Sequence, residues 1–174
     1  MKRRTSLIFL LVLTLCMGCT QKIGAGHHIR KPHLTENPLV GKWTVTKCIY
    51  TDGRAADSRL TKEFIGMDSI FLPNRVLLQD QYLSNVEYES LLLTTKHFSS
   101  HYANVNPEVL GITEKELYLI RIHEGASSGL EVLLSNPTTL YVKWGEMFLQ
   151  MSKVSDRATD QALDRLLASR EVKS

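Results

Sequence analysis

SGLEVLLSNPTTLYVKWGEMFLQMSK, residues 128–153 of a 174-residue chain, decides the fold. Leu130, Val132 and Leu134 alternate with Glu131 and Leu133, and Leu140, Val142 and Trp144 alternate with Thr139, Tyr141 and Lys143. Met147, Leu149 and Met151 alternate with Phe148, Gln150 and Ser152. A period of two sends successive side chains to opposite faces, so each run reads as a half-buried strand. Ser135-Asn136-Pro137 and Gly145 punctuate the runs as turns. The stretch therefore predicts a three-stranded antiparallel meander.

Upstream, the same reasoning predicts strands near 40–50, 67–72, 75–80, 85–95, 97–104 and 116–123. Alternation is least clean at Leu77-Leu78 and Leu91-Leu92-Leu93. Asp52-Gly53 is a turn signal after the first strand, and Gly111 to Glu116 is expected to form one helical turn. About eight or nine short antiparallel strands in residues 38–153 point to a mainly β fold. A small up-and-down β-barrel is the expected form, because closure removes unpaired strand edges. A two-sheet sandwich is the alternative.

Downstream of the meander the period changes. Ala158, Ala162, Leu163, Leu166 and Leu167 recur at helical spacing, Ser155 or Asp156 stands ready to cap the start, and Arg170 and Lys173 lie near the negative end. Residues 155–172, within the terminal segment 154–174, are thus expected to form a C-terminal amphipathic α-helix. Its narrow apolar stripe needs a partner surface. The outside of its own barrel is the simplest one, with another protein or a membrane surface as alternatives.

The chain begins MKRRTSLIFLLVLTLCMGCTQK, residues 1–22. Lys2, Arg3 and Arg4 form a positive head, and Leu7 to Leu15 an apolar run too short to span a bilayer comfortably. Cys16-Met17-Gly18-Cys19 resembles the lipobox of bacterial lipoproteins. That resemblance implies a signal peptide over residues 1–18 and acyl chains such as palmitate on Cys19. It also implies a lipid-anchored protein of the bacterial cell envelope, with the membrane as its first partner. Thr20 after Cys19, with no Asp there, is similar to the arrangement that sends such proteins to the outer membrane. An ordinary secretory signal cut near Gly18 and an uncut N-terminal anchor are the alternatives.

Residues 19–37 then read as lipid attachment followed by a flexible tether. The tether holds His27, His28 and His33, but no carboxylate or thiolate stands at a set spacing from them, so a solvated linker rather than a metal site is expected. Three of the chain's 21 Lys+Arg lie at positions 2–4, so without the signal the cations only equal the 18 Asp+Glu. No basic stripe with interleaved aromatics follows, which argues against nucleic-acid binding. Cys16 leaves with the signal and Cys19 carries lipid, so Cys48 has no partner for a disulfide and reads as a small buried hydrophobe.

Catalytic signatures are missing from the sequence: no Gly-x-Ser-x-Gly, phosphate-cradling loop or His-Glu-x-x-His occurs. On the expected strand His97 and His101 would lie about 13 Å apart, too far to share a metal. His123 and Glu124 would point to opposite faces. Neither an enzyme nor a cofactor is expected.

Pro38-Leu39-Val40-Gly41-Lys42-Trp43-Thr44-Val45 resembles the Gly-x-Trp opening of lipocalin-like barrels. The resemblance implies that Gly41 lets the chain turn into the first strand and Trp43 plugs one end of the barrel. It further implies that a basic residue on the last strand, here Lys153, packs across the indole. Two functions are then open. One is a carrier of a small hydrophobic ligand in the barrel end opposite Trp43. The other is an interaction module for an envelope protein, working through loops and helix, with the barrel filled. The bulk of Trp43, Trp144, Met147 and Met151 favours a filled interior.

Overall fold

The computed structural model describes residues 29–30, 36–54, 58–103, 105–125 and 127–171. One continuous antiparallel sheet carries the fold. Its strands are β1 (Ile29–Arg30), β2 (Gly41–Tyr50), β3 (Asp68–Phe71), β4 (Arg75–Leu78), β5 (Gln81–Ser84), β6 (Val86–Thr94), β7 (Glu116–Glu124), β8 (Ser127–Asn136), β9 (Thr139–Trp144) and β10 (Met147–Ser155). Their order across the sheet is β1-β6-β7-β8-β9-β10-β2-β3-β4-β5. The chain thus runs up and down between neighbours, and β10 returns to pair with β2. The sheet curls into a half-barrel, which is the mainly β, up-and-down architecture expected and excludes two separate sheets. Among the described residues no ladder joins β5 to β6. Instead the Ser84 amide donates to Glu124 Oε1 at 2.7 Å, and the Val86 amide to the Asn74 carbonyl at 3.0 Å.

Three helices dress this sheet: α1 (Ser58–Phe64), α2 (Thr95–His101) and α3 (Asp160–Glu171), with a 3-10 turn at Pro107–Leu110. On the concave side Trp43, Val45, Ile120, Val132, Leu140 and Leu149 belong to one apolar cluster and are each at most 1 % exposed. The convex side is covered as well. α2 and the 3-10 turn lie in the connection between β6 and β7, and their Phe98, Tyr102 and Leu110 cluster with Leu91, Leu119, Leu133 and Phe148. Phe98 stacks at a tilt on Tyr102, ring centroids 4.9 Å apart, and Tyr102 meets Phe148 edge-on at 5.5 Å. α3 buries Leu163 over Ile70, Leu72 and Leu77, so its apolar stripe packs on the outside of its own sheet. Arg75 pins it there through Asp160 and, at 3.5 Å, Asp164.

Several elements differ from the sequence pattern. Residues 97–104, expected as a strand, fall largely in α2, because a helical turn puts Phe98 and Tyr102 four residues apart on one face against Phe148. The helical turn expected at 111–116 comes earlier. Asn106 caps it by accepting from the Glu108 amide at 3.0 Å, and Gly111, left-handed at φ 73°, ends it. β5 and α1 were not anticipated, and β1 lies inside the segment read as tether, paired with Leu92 and Leu93 of β6. The last helix starts at Asp160 rather than near 155, because β10 runs on to Ser155 and Thr159 Oγ1 caps the helix, accepting from the Ala162 amide at 3.2 Å.

The β7–β8 ladder shifts register between Ile122 and Glu124. There Gly129 passes so close that an added Cβ would stand 1.3 Å from the Ile122 carbonyl oxygen. Gly129→Ala should therefore cost about 2–3 kcal/mol of stability. The change would appear as a lower urea midpoint at constant slope; an unshifted midpoint would mean that β8 does not approach β7 in this way.

Candidate functional site

The β2–β10 register sets Lys153 directly opposite Trp43. Trp43 is fully buried, and its indole N–H donates to the Leu39 carbonyl at 2.7 Å, which satisfies the one polar atom the ring carries. The Lys153 ammonium lies 5.2 Å from the indole centroid, a cation–π distance, and donates to the Pro38 carbonyl at 3.2 Å. It also pairs with Asp156 at 2.7 Å. Gly41 sits under this arrangement at φ 141°, where a Cβ would come within 2.4 Å of the Ser155 carbonyl oxygen. Gly41, Trp43 and Lys153, named together in the sequence through the lipocalin-like resemblance, lie side by side at one end of the sheet.

A groove of about 540 Å³ opens beside them. Tyr118, Leu134, Pro137 and Val154 supply its apolar surface, and Lys153 and Asp156 its charges. The β8–β9 hairpin forms one wall. The other comes from the irregular end of β10, where the ladder shifts between Lys153 and Ser155 and Val154 is left 59 % exposed. This groove was not expected. Its sequence signal is Val154, an apolar residue just past the end of the alternating pattern, and Pro137, read only as a turn former.

The carrier reading placed its ligand at the end opposite Trp43. There Phe64 of α1 joins the concave cluster with Cys48 and Met147 and meets Trp144 edge-on at 6.3 Å. Cys48 is a free, buried thiol whose pKa is pushed up by burial. It behaves as a core hydrophobe.

A charged patch lies on the convex side where the apolar cover ends. Arg121 Nε donates to Glu131 Oε1 at 2.9 Å, His101 Nε2 lies 3.1 Å from Glu131 Oε2, and Arg121 and His123 each approach Glu89 at 3.9 Å. Burial opposes ionisation of Glu131, but the hydrogen bonds and charges of Arg121 and His101 outweigh it and hold the carboxyl below its usual range. The argument that separated His97 from His101 fails, because both sit on α2 rather than on a strand. They are engaged separately, His97 Nδ1 being hydrogen-bonded to Thr94 Oγ1 at 2.6 Å. Among the described residues no three His, Cys, Asp or Glu side chains are placed to hold a metal ion.

Cys19, His27, His28 and His33 lie outside the described residues. Among the described residues no helix is long and apolar enough to cross a membrane. The fold and this end groove define an antiparallel half-barrel with a packed concave face. No family model, curated protein or solved structure matches the chain.

Trp43→Ala should cost about 3–5 kcal/mol, and Lys153→Met about 1 kcal/mol with a changed tryptophan fluorescence spectrum; equal losses in thermal melts would show that the ammonium matters as much as the ring at this end. Glu131 has a depressed pKa in the folded protein, so its contribution is complete above the unfolded value of about 4.3 and is lost as pH falls through the folded one. Because the side chain is a third exposed, that contribution is about 1 kcal/mol at most. Glu131→Gln should flatten the fall of melting temperature below about pH 4.3, and an unchanged acid limb would remove Glu131 from the account.

Proposed function

We propose that the protein is a lipid-anchored lipoprotein of the bacterial cell envelope, held through Cys19, whose lipocalin-like half-barrel is a non-catalytic recognition module. The packed concave face carries this reading. An interior carrier needs a pocket of about 300–1,000 Å³ inside the barrel. Here that space holds Trp43, Phe71, Leu149 and Met151, all fully buried, with Phe64 packed over the far end. Recognition then falls to the end groove and the outer surface.

The anchor is supported by the N-terminal sequence: the basic head, the short apolar run and Gly18-Cys19. Each acyl methylene buried in lipid contributes about 0.8 kcal/mol, so the chains on one cysteine hold the domain at the membrane. The Thr20 context favours the outer membrane as its destination.

Cys19→Ser should move the protein from the membrane pellet to the soluble envelope fraction and abolish incorporation of labelled palmitate. Continued membrane retention without label would overturn the lipoprotein assignment. Native mass spectrometry of the gently released protein should show no uncharged apolar molecule that is retained until unfolding. A stoichiometric apolar molecule lost only on unfolding would restore the interior carrier.

A further inference from the structure

We propose that the groove beside Trp43 binds a single-chain anionic amphiphile, with Lys153 holding its headgroup and Leu134, Pro137 and Val154 its chain. The proposal deepens the recognition-module reading and rests on it. At about 540 Å³ the groove lies within the range of small-molecule sites, about 300–1,000 Å³. Among its described lining residues Lys153 is the only basic one.

The contacts of Lys153 divide into two kinds. The Pro38 carbonyl and the Trp43 ring are fixed parts of the fold and position the ammonium, whose side chain is only 13 % exposed. Asp156 is different: its side chain is 88 % exposed and belongs to the irregular segment between β10 and α3. Its Oδ1 marks where a carboxylate sits against this ammonium. Asp156, being exposed, is the weakly held partner of this pair, so an incoming carboxylate or phosphate monoester can displace it into water and keep the charge-assisted hydrogen bond.

The apolar part of the ligand is argued from Val154. The register shift at the end of β10 leaves this side chain exposed beside Leu134, Pro137 and the Tyr118 ring. An alkyl chain laid along that wall removes apolar surface from water. A monomeric amphiphile fits better than a membrane surface, since anionic bilayers are gripped by clusters of basic side chains and this groove offers one.

The test is titration of the full chain carrying Cys19→Ser with sodium dodecanoate below its micellar concentration, followed by amide NMR. Shifts are expected at Tyr118, Leu134 and Val154, with dodecyltrimethylammonium at least tenfold weaker. Lys153→Met should weaken dodecanoate at least tenfold. Asp156→Ala should tighten it several-fold, a gain that a purely structural Lys153 would not produce, and its exposure keeps folding out of the question. No gain in Asp156→Ala, equal binding of the cationic amphiphile, or binding to phosphatidylglycerol vesicles without dodecanoate would overturn the proposal. Silence at every amide would overturn it too and leave the packed-interior reading standing. Shifts at Val132, Cys48 and Met147 instead would overturn both.

Discussion

The pairing of β2 with β10 is the constraint on which the remaining structure depends, because it joins the first long strand of the chain to the last and so links the β6–β10 half of the sheet to the β2–β5 half. Trp43 faces Lys153 across that ladder, and Val45 faces Met151. A slip by one residue would turn the concave set outward, exposing Trp43 and burying Lys42 and Thr44 in its place. The indole N–H to the Leu39 carbonyl and the ammonium over the ring then lock the strand end into one arrangement. Gly41 is required by the same crossing, since any side chain there meets the backbone of β10.

From this pairing follows a sheet that is buried on both faces over much of its area. The concave face packs on itself, while the β6–β7 connection and α3 cover separate parts of the convex face. The polar patch of Glu89, Arg121, His101 and Glu131 marks the limit of that cover, where strand side chains turn from apolar to charged along β6, β7 and β8. Two-sided burial gives a modest domain apolar clusters on both faces of one sheet. The groove beside Trp43 lies at an end of the sheet, where neither cover reaches.

The strands of the meander were legible because their concave residues repeat every second position with turn formers between them. The convex apolar residues were legible too, but their meaning was not. Leu91, Leu93, Leu133, Tyr141 and Phe148 interrupt clean alternation because each is covered from outside. α2 was illegible for a related reason: TKHFSSH carries one fully buried apolar side chain, Phe98, and the helix exists because that ring and Tyr102 have Phe148 to pack against. The end motif was partly readable: Gly41 and Trp43 stand two apart, whereas Lys153, far along the chain, could be joined to them in the sequence only through the resemblance. The groove showed in the sequence only as Val154 and Pro137, whose shared meaning was not readable. It arises from a register shift, and a register shift leaves no mark in composition or period.

The order in which this chain can assemble follows from the same closing ladder. Thr46 and Gln150 lie across it from one another, 104 residues apart in the chain. The strands from β6 to β10 pair with sequence neighbours and can zip locally, whereas β2 must wait for the last strand before its second edge is filled. Loop-closure entropy makes such distant pairings the slow part of folding. A chain in which β10 has not yet formed therefore holds β2, with its tryptophan, as an unfinished edge. Completion of the sheet in effect tests whether β10, far along the chain from β2, has been made and folded.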